Sequence, residues 1–190
     1  MSTNRHATTG LALAMISLFA AVPARGESVE DPTYRSWAKV VPGTLVTVRT
    51  TAETAGGSFL TETHSKLISI DDKRAVVETW TEQKSPHGEI TKNAPSEQTI
   101  KRMFPLFPGV KKEEIGRPSG AMKKGREKLT IAGREFDAEW YETKGTTEAG
   151  PSYTRTWISE DVPGLVLKAE TTVPAAKKTT KIELIAIEKP

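Results

Sequence analysis

From Thr44 to Ile187 apolar and polar residues trade places at nearly every second position, in blocks divided by short turn signals. No other property of the chain restricts its fold so strongly. Side chains of a strand point alternately to opposite faces, so a period of two means strand, with one face packed and the other wet. Val46 and Val48 alternate with Thr47 and Arg49. Val76, Glu78 and Trp80 alternate with Val77 and Thr79. Phe136, Ala138 and Trp140 point inward together, and Tyr153, Arg155 and Trp157 share one face. Threonine, β-branched and half polar, is used throughout and suits a half-solvated pleat. The spacers are short: 55–58, Asp71-Asp72, Gly133 and 160–164. Connections that short join antiparallel neighbours, because a parallel pair needs a crossover of a dozen or more residues. The chain therefore reads as mainly β, a curved antiparallel meander of about eight or nine strands, and a sheet that large twists into a half-barrel.

One short helix precedes the strands. Asp31 can cap it, Pro32 fits the first helical position, and Tyr34, Trp37, Ala38 and Val41 recur at three- and four-residue spacing before Pro42-Gly43 stops it. It is expected against the concave face of the sheet. Ser85 to Gln98, with two prolines and little apolar content, reads as a long loop. Met103 to Val110 is apolar but broken by Pro105 and Pro108. Proline cannot donate to a ladder, so this is a kinked segment covering one end of the sheet and not a central strand. Residues 116–125 read as irregular, and 145–152 as a loop.

The first twenty-six residues carry an address. Met1 to Gly10 holds Arg5 and no acid, Leu11 to Val22 is an apolar run, and Pro23-Ala24-Arg25-Gly26 follows. This is the layout of a secretory signal peptide, with cleavage after Ala24 or Gly26. Twelve residues of helix reach about 18 Å, short of the roughly 30 Å needed to cross a bilayer. The expected product is a single antiparallel β domain, residues 27–190, exported to the periplasm or secreted, with no transmembrane segment after signal removal. The chain has no cysteine, which rules out disulfides, a thiol nucleophile and Cys-ligated metals. A net charge of +3 is too small to argue a nucleic-acid partner.

Chemistry-bearing motifs are few. His64 shares a strand face with Glu62, an arrangement that can orient a base or bind a metal but equally fits a polar solvent face. His87-Gly88-Glu89 has the H-x-E spacing of zinc deaminases without their cysteine pair. Neither Gly56-Gly57-Ser58 nor Pro118-Ser119-Gly120 forms a nucleophile elbow, and no phosphate-binding glycine loop is present. Glu62, Glu78, Glu139 and Glu142 are the candidates for paired hydrolytic carboxylates, each in a strand rich in Thr and Lys. The basic run Lys123-Lys124-Gly125-Arg126, with Lys128, is offset by Glu127 and reads as a solvated turn or as a contact for anionic envelope components. No catalytic residue, metal ligand or cofactor is assigned.

The four tryptophans stand out. Trp80, Trp140 and Trp157 fall on strands and Trp37 on the helix. They serve as core anchors, or they line a cavity between sheet and helix for an acyl chain or other apolar ligand, with Phe104 and Phe107 at its mouth.

Three stretches in order add a resemblance. Trp37 with Val41-Pro42-Gly43-Thr44, then Ile131-Ala132-Gly133-Arg134-Glu135-Phe136, then Thr156-Trp157 through Glu160-Asp161-Val162-Pro163-Gly164-Leu165-Val166 resemble uncharacterised secreted bacterial proteins of planctomycete type. Those are similar in turn to the LolA-like half-barrel periplasmic carriers of lipids and lipoproteins. The chain departs from the pattern at Ala138, where relatives often carry cysteine, and at Leu165, where they often carry a second glycine. The resemblance implies a half-barrel, an exported location and, by analogy, carriage of a lipid. The expected function is thus a non-enzymatic binding domain for a lipid or other apolar ligand. Its rivals are an envelope protein-interaction module without a cavity and a hydrolase with strand-borne carboxylates.

Overall fold

A computed structural model describes residues 27–54 and 57–190. The expected signal segment lies outside the described residues, as does part of the turn at 55–58. In chain order the elements are β1 (Ser28–Glu30), α1 (Pro32–Trp37), β2 (Leu45–Thr54), β3 (Gly57–Ile70), β4 (Arg74–Lys84), β5 (Ile90–Lys92), β6 (Ser96–Lys101) and β7 (Met103–Pro105). There follow β8 (Lys123–Ile131), β9 (Arg134–Thr147), β10 (Gly150–Ile158), β11 (Val166–Val173) and β12 (Lys178–Glu188).

The helix forms where its cap dictates. The Asp31 carboxylate accepts from the backbone N–H groups of Thr33 at 2.7 Å and Tyr34 at 3.4 Å, and Pro32 fills the first turn without wasting a donor. Its buried residues are Pro32, Tyr34, Ser36 and Trp37.

Ten strands form one fully antiparallel, open sheet, ordered β5-β4-β3-β2-β12-β11-β10-β9-β8, with β6 also pairing β4. The expected half-barrel is present. Its first long strand, β2, pairs with its last, β12, from Leu45↔Glu188 to Glu53↔Thr179. The first and last long strands therefore meet at the middle of the sheet, and both free edges are formed by strands that lie between them in the chain. The segment 102–122 connects one edge to the other.

The stretch 85–98, expected as a loop, supplies most of one edge. β6 runs along Arg74–Thr79 and β5 along Glu82–Lys84, both on β4. The two are one broken edge strand. Pro95 lacks the N–H that a continuous ladder would use, and Asn93 bridges the break by donating to the Thr81 hydroxyl at 2.9 Å. Edge residues are wet on both faces, which removes the apolar alternation that would have revealed them. Likewise β9 and β10 run into 145–152, leaving only residues 148–149 as the turn.

The core gathers at one end of the sheet, where β3, β10 and β12 each sit against a bulge. Leu67, Val77, Leu167 and Leu184 from the strands meet Tyr34 and Trp37 from the helix and Val162 from the β10–β11 connection. The helix closes that end. Tyr34 donates its hydroxyl to the Asp71 carbonyl at 2.6 Å, and Ser36 accepts from the Gly164 N–H at 3.1 Å. The opposite end consists of polar hairpin tips. β1 and β7 form a separate two-stranded ribbon, Val29 opposite Phe104. Met103–Val110 is thus no part of the main sheet, as its prolines require. Among the described residues no helix is long and apolar enough to cross a membrane.

Candidate ligand-binding site

Register places the three strand tryptophans on the same face of the sheet but not together. Trp140 is directly opposite Trp157, and the row continues through Lys168, Glu183, Arg49, Glu62 and Glu82. Trp80 lies at the far side, opposite His64, whose ring stacks on it at 5.1 Å. Four strands bearing charged residues separate the two groups.

The tryptophan faces are also covered. The Arg155 guanidinium sits 4.2 Å from the Trp140 ring centre and 4.9 Å from that of Trp157, and the Lys168 ammonium sits 5.1 Å from Trp157. Trp157 donates its indole N–H to Glu127, and Glu127 pairs Arg155 at 3.5 Å. Such cation–π contacts are worth about 0.5–2 kcal/mol each and leave the rings little free face. Gly125 completes the stack: an added Cβ there would lie 2.7 Å from the Trp140 ring. Of the other aromatics, Trp37 is in the core at 3% exposure, Phe104 is half-buried on β7, and Phe107 is 67% exposed.

Of the candidate carboxylates, Glu62, Glu139 and Glu142 are held by cations. Arg49 bonds Glu62 through two nitrogens at 2.7 and 3.0 Å, Lys123 pairs Glu142 at 3.5 Å, and Glu78 faces Lys66 in register. His64 bonds the Thr47 hydroxyl at 3.1 Å, and its other nitrogen is 3.9 Å from Glu82, which Lys92 claims at 2.7 Å. Among the described residues no group of three His, Asp or Glu side chains is arranged to hold a metal.

Glu139 has the most perturbed environment. Its carboxylate accepts from Arg117 at 2.9 Å, Tyr141 at 2.6 Å and Arg126 at 2.7 Å. Arg117 also bonds the Tyr141 hydroxyl at 2.9 Å and the Glu113 carbonyl. The Arg117 guanidinium leads in holding the Glu139 carboxyl down to about 2, with Tyr141 and Arg126 assisting against partial burial. Burial and the same carboxylate push the Tyr141 phenol up. This network fastens the crossing segment, through Arg117, to the β8–β9 edge.

It also stabilises the fold in a pH-dependent way. A carboxyl whose folded value lies below its unfolded value of 4.5 contributes stability above that value and loses it as pH falls toward 2. Discounted for its partial exposure, the contribution is about 2 kcal/mol at neutral pH. Glu139→Gln should lower the urea midpoint at pH 7, and the gap to the parent should close between pH 5 and pH 2.

Beneath that anchor lies a cleft of about 680 Å³, bounded by α1, the segment 115–117, β8–β9 and the β10–β11 connection. Pro32, Ile115, Ala138, Ile158 and Leu165 supply its apolar surface. Its four cations are each in an ion pair: Lys39 with Asp161 at 2.8 Å, Arg117 and Arg126 with Glu139, and Lys128 with Glu135 at 2.7 Å. Glu127 and Glu160 are paired in turn with Arg155 and Arg35. Several of these residues had been noted from sequence for other reasons, Pro32 as the helix start, Arg126 and Lys128 as a basic run, and Ala138 and Leu165 as departures from a pattern, but none as lining a cleft. Ile115 and Gly116 stand in a stretch without periodicity, where the sole signal is a glycine between an apolar residue and Arg117-Pro118.

No protein-family model matches this chain, and no curated protein matches its sequence. Among solved structures it is similar to a protein described as exported, with a YmcC-like fold, from Bacteroides fragilis, at 11% identity and a TM-score of 0.47, covering 79% of this chain and 97% of that one. It is similar to a protein described as a lipoprotein from Parabacteroides distasonis, at 13% identity and a TM-score of 0.43, covering 78% and 96%. It is also similar to a domain described as an outer membrane lipoprotein-sorting protein from Vibrio parahaemolyticus, at 9% identity and a TM-score of 0.25, covering 83% and 90%.

Proposed function

We propose that this is an exported, non-enzymatic binding domain that takes an uncharged apolar or amphipathic molecule, such as the acyl part of a lipid, into the cleft between α1, segment 115–117 and the β8–β9 edge. The cleft itself carries the reading. Its volume, about 680 Å³, falls within the roughly 300–1,000 Å³ typical of small-molecule sites. Among the described residues the charges around its apolar surface are paired within the protein, except Asp137, which lies opposite Lys128 in register. A rim whose cations are all paired has little to offer an anionic ligand, since binding one would mean breaking existing pairs. An apolar body gains from covering Ile115 and Ile158, which are half-buried, at about 25 cal/mol per Å² removed from water, and meets the edge of the buried Leu165. Export rests on the apolar run Leu11–Val22 and its small-residue cleavage sites. The strand tryptophans act as sheet anchors in this account, and Trp37 as the seal of the closed end.

Native mass spectrometry of the exported product, recovered from producing cells under mild conditions, provides the test. A population carrying an additional mass of a neutral lipid or fatty molecule, removed by organic extraction, is the expected result. A mass equal to the bare chain, with no added mass after incubation with a monoacylglycerol, would contradict the proposal.

A further inference from the structure

Strand β9 presents three carboxylates at alternate positions of one face, Glu135, Asp137 and Glu139, about 7 Å from one to the next. The outer two are taken. Glu135 accepts from the Lys128 ammonium at 2.7 Å, and Glu139 from Arg117 at 2.9 Å and Arg126 at 2.7 Å. The middle one is not. Asp137 is exposed and enters none of the hydrogen bonds or ion pairs among the described residues. It lines the cleft, and Glu139, two residues further along β9, is directly opposite Ile158 of the cleft's apolar surface. A molecule lying over Ile158 therefore reaches Asp137 with its next few atoms.

Asp137 lacks hydrogen bonds rather than compensating charge. Lys128 is directly opposite it on β8, and its ammonium is pushed up by the Glu135 hydrogen bond first, with the charges of Glu135 and Asp137 assisting. A cationic ligand would meet the field of Lys128 and Arg126 on the same wall. An anionic one would meet Asp137 itself and no free cation. A neutral donor meets neither objection. In the open cleft, water serves the Asp137 oxygens. An apolar body covering the cleft strips that water, and the carboxylate is left without partners unless the ligand brings O–H groups of its own. An acceptor left unmet under a bound ligand is expensive, which is how a hydrogen-bonding site rejects analogues that lack the donor.

We infer that Asp137 sets the specificity of the cleft, selecting neutral amphiphiles whose polar end carries hydroxyl groups, such as a monoacylglycerol. The hydroxyls donate to its carboxylate while the acyl chain lies over Ile115 and Ile158. This rests on the cleft being the binding site.

Titration of the exported product, its Ile methyls labelled, with three ligands of equal chain length tests the inference: monooctanoylglycerol, methyl octanoate and octanoate, each below its aggregation point. Read from the Ile115 and Ile158 methyl shifts, monooctanoylglycerol is expected to bind at least tenfold more tightly than either of the others. Asp137→Ala should remove its advantage over methyl octanoate, and Asp137→Asn, which keeps an acceptor oxygen, should retain part of it. Both variants should bind octanoate more tightly than the parent does. Asp137 is exposed, so folding is retained and checked by circular dichroism, and methyl octanoate should still move both isoleucine methyls of Asp137→Ala. Equal binding of the two esters by the parent, octanoate binding as tightly as monooctanoylglycerol, or an undiminished preference in Asp137→Ala would overturn the inference and leave the cleft as the site. Ile115 and Ile158 methyls unmoved by all three ligands would refute the cleft itself, and the inference would fall with it.

Discussion

Trp37→Ala should lower folding stability by about 4 kcal/mol, whereas Phe107→Ala should change it by less than about 0.5 kcal/mol. The two aromatics occupy opposite situations. Trp37 is 3% exposed and packs with Tyr34, Leu67, Leu167, Leu184 and Val162 at the closed end of the sheet. Removing its ring deletes contacts between α1, the strands and the β10–β11 connection together, and a cavity of that size cannot collapse without moving one of the three. Phe107, 67% exposed, has little burial to lose. Paired urea titrations followed by far-ultraviolet circular dichroism, with unchanged slopes, provide the readout. Similar losses for both variants would mean that the ribbon bearing Phe107 is part of the core.

The second large effect is expected at Gly116. Its backbone is left-handed, φ +75°, and an added Cβ would lie 2.5 Å from Pro32 Cγ and 3.3 Å from Leu165 Cδ1. Gly120 has a similar φ, +68°, with nothing within 4 Å. Gly120→Ala therefore measures the backbone cost alone, about 1 kcal/mol. Gly116→Ala adds the overlap with Pro32 at the start of α1 and should cost about 3 kcal/mol. The extra loss has a functional counterpart, because Pro32, Gly116 and Leu165 all line the cleft. Gly116→Ala should shed the co-purifying ligand while Gly120→Ala keeps it. Equal losses of stability for the two variants would show that the crossing segment is not pressed against the helix.

How far these features could be read in advance follows from where each side chain points. The helix was legible because Asp31-Pro32 is a start signal that acts locally, and α1 begins there. The long strands were legible because one of their faces is buried, so that Val46 against Arg49 or Phe136 against Glu135 leaves a pattern of period two. β5 and β6 were not, since an edge strand wet on both sides has no such pattern. The pairing of β2 with β12 was not either. Both are well-formed strands, and nothing local in them records that the first should lie beside the last. Trp140 and Trp157 were recognised as sharing a face with their neighbours, but the guanidinium laid over both rings comes from Arg155, a residue whose own alternation says only that it is on that face. Glu139 drew notice as a carboxylate. Its partner Arg117 sits in a stretch without periodicity, and only the fold brings the crossing segment back across the β8–β9 edge to meet it.

The cleft as a binding site for an apolar molecule is the claim to test first, and methyl NMR tests it most directly. With Ile and Leu methyls labelled, titration with monooctanoylglycerol below its aggregation point should move the resonances of Ile115, Ile158 and Leu165 saturably, leaving Leu184 and Leu67 in place. Saturable shifts that spare those three methyls and appear instead in the indole resonances of Trp140 and Trp157 would contradict it.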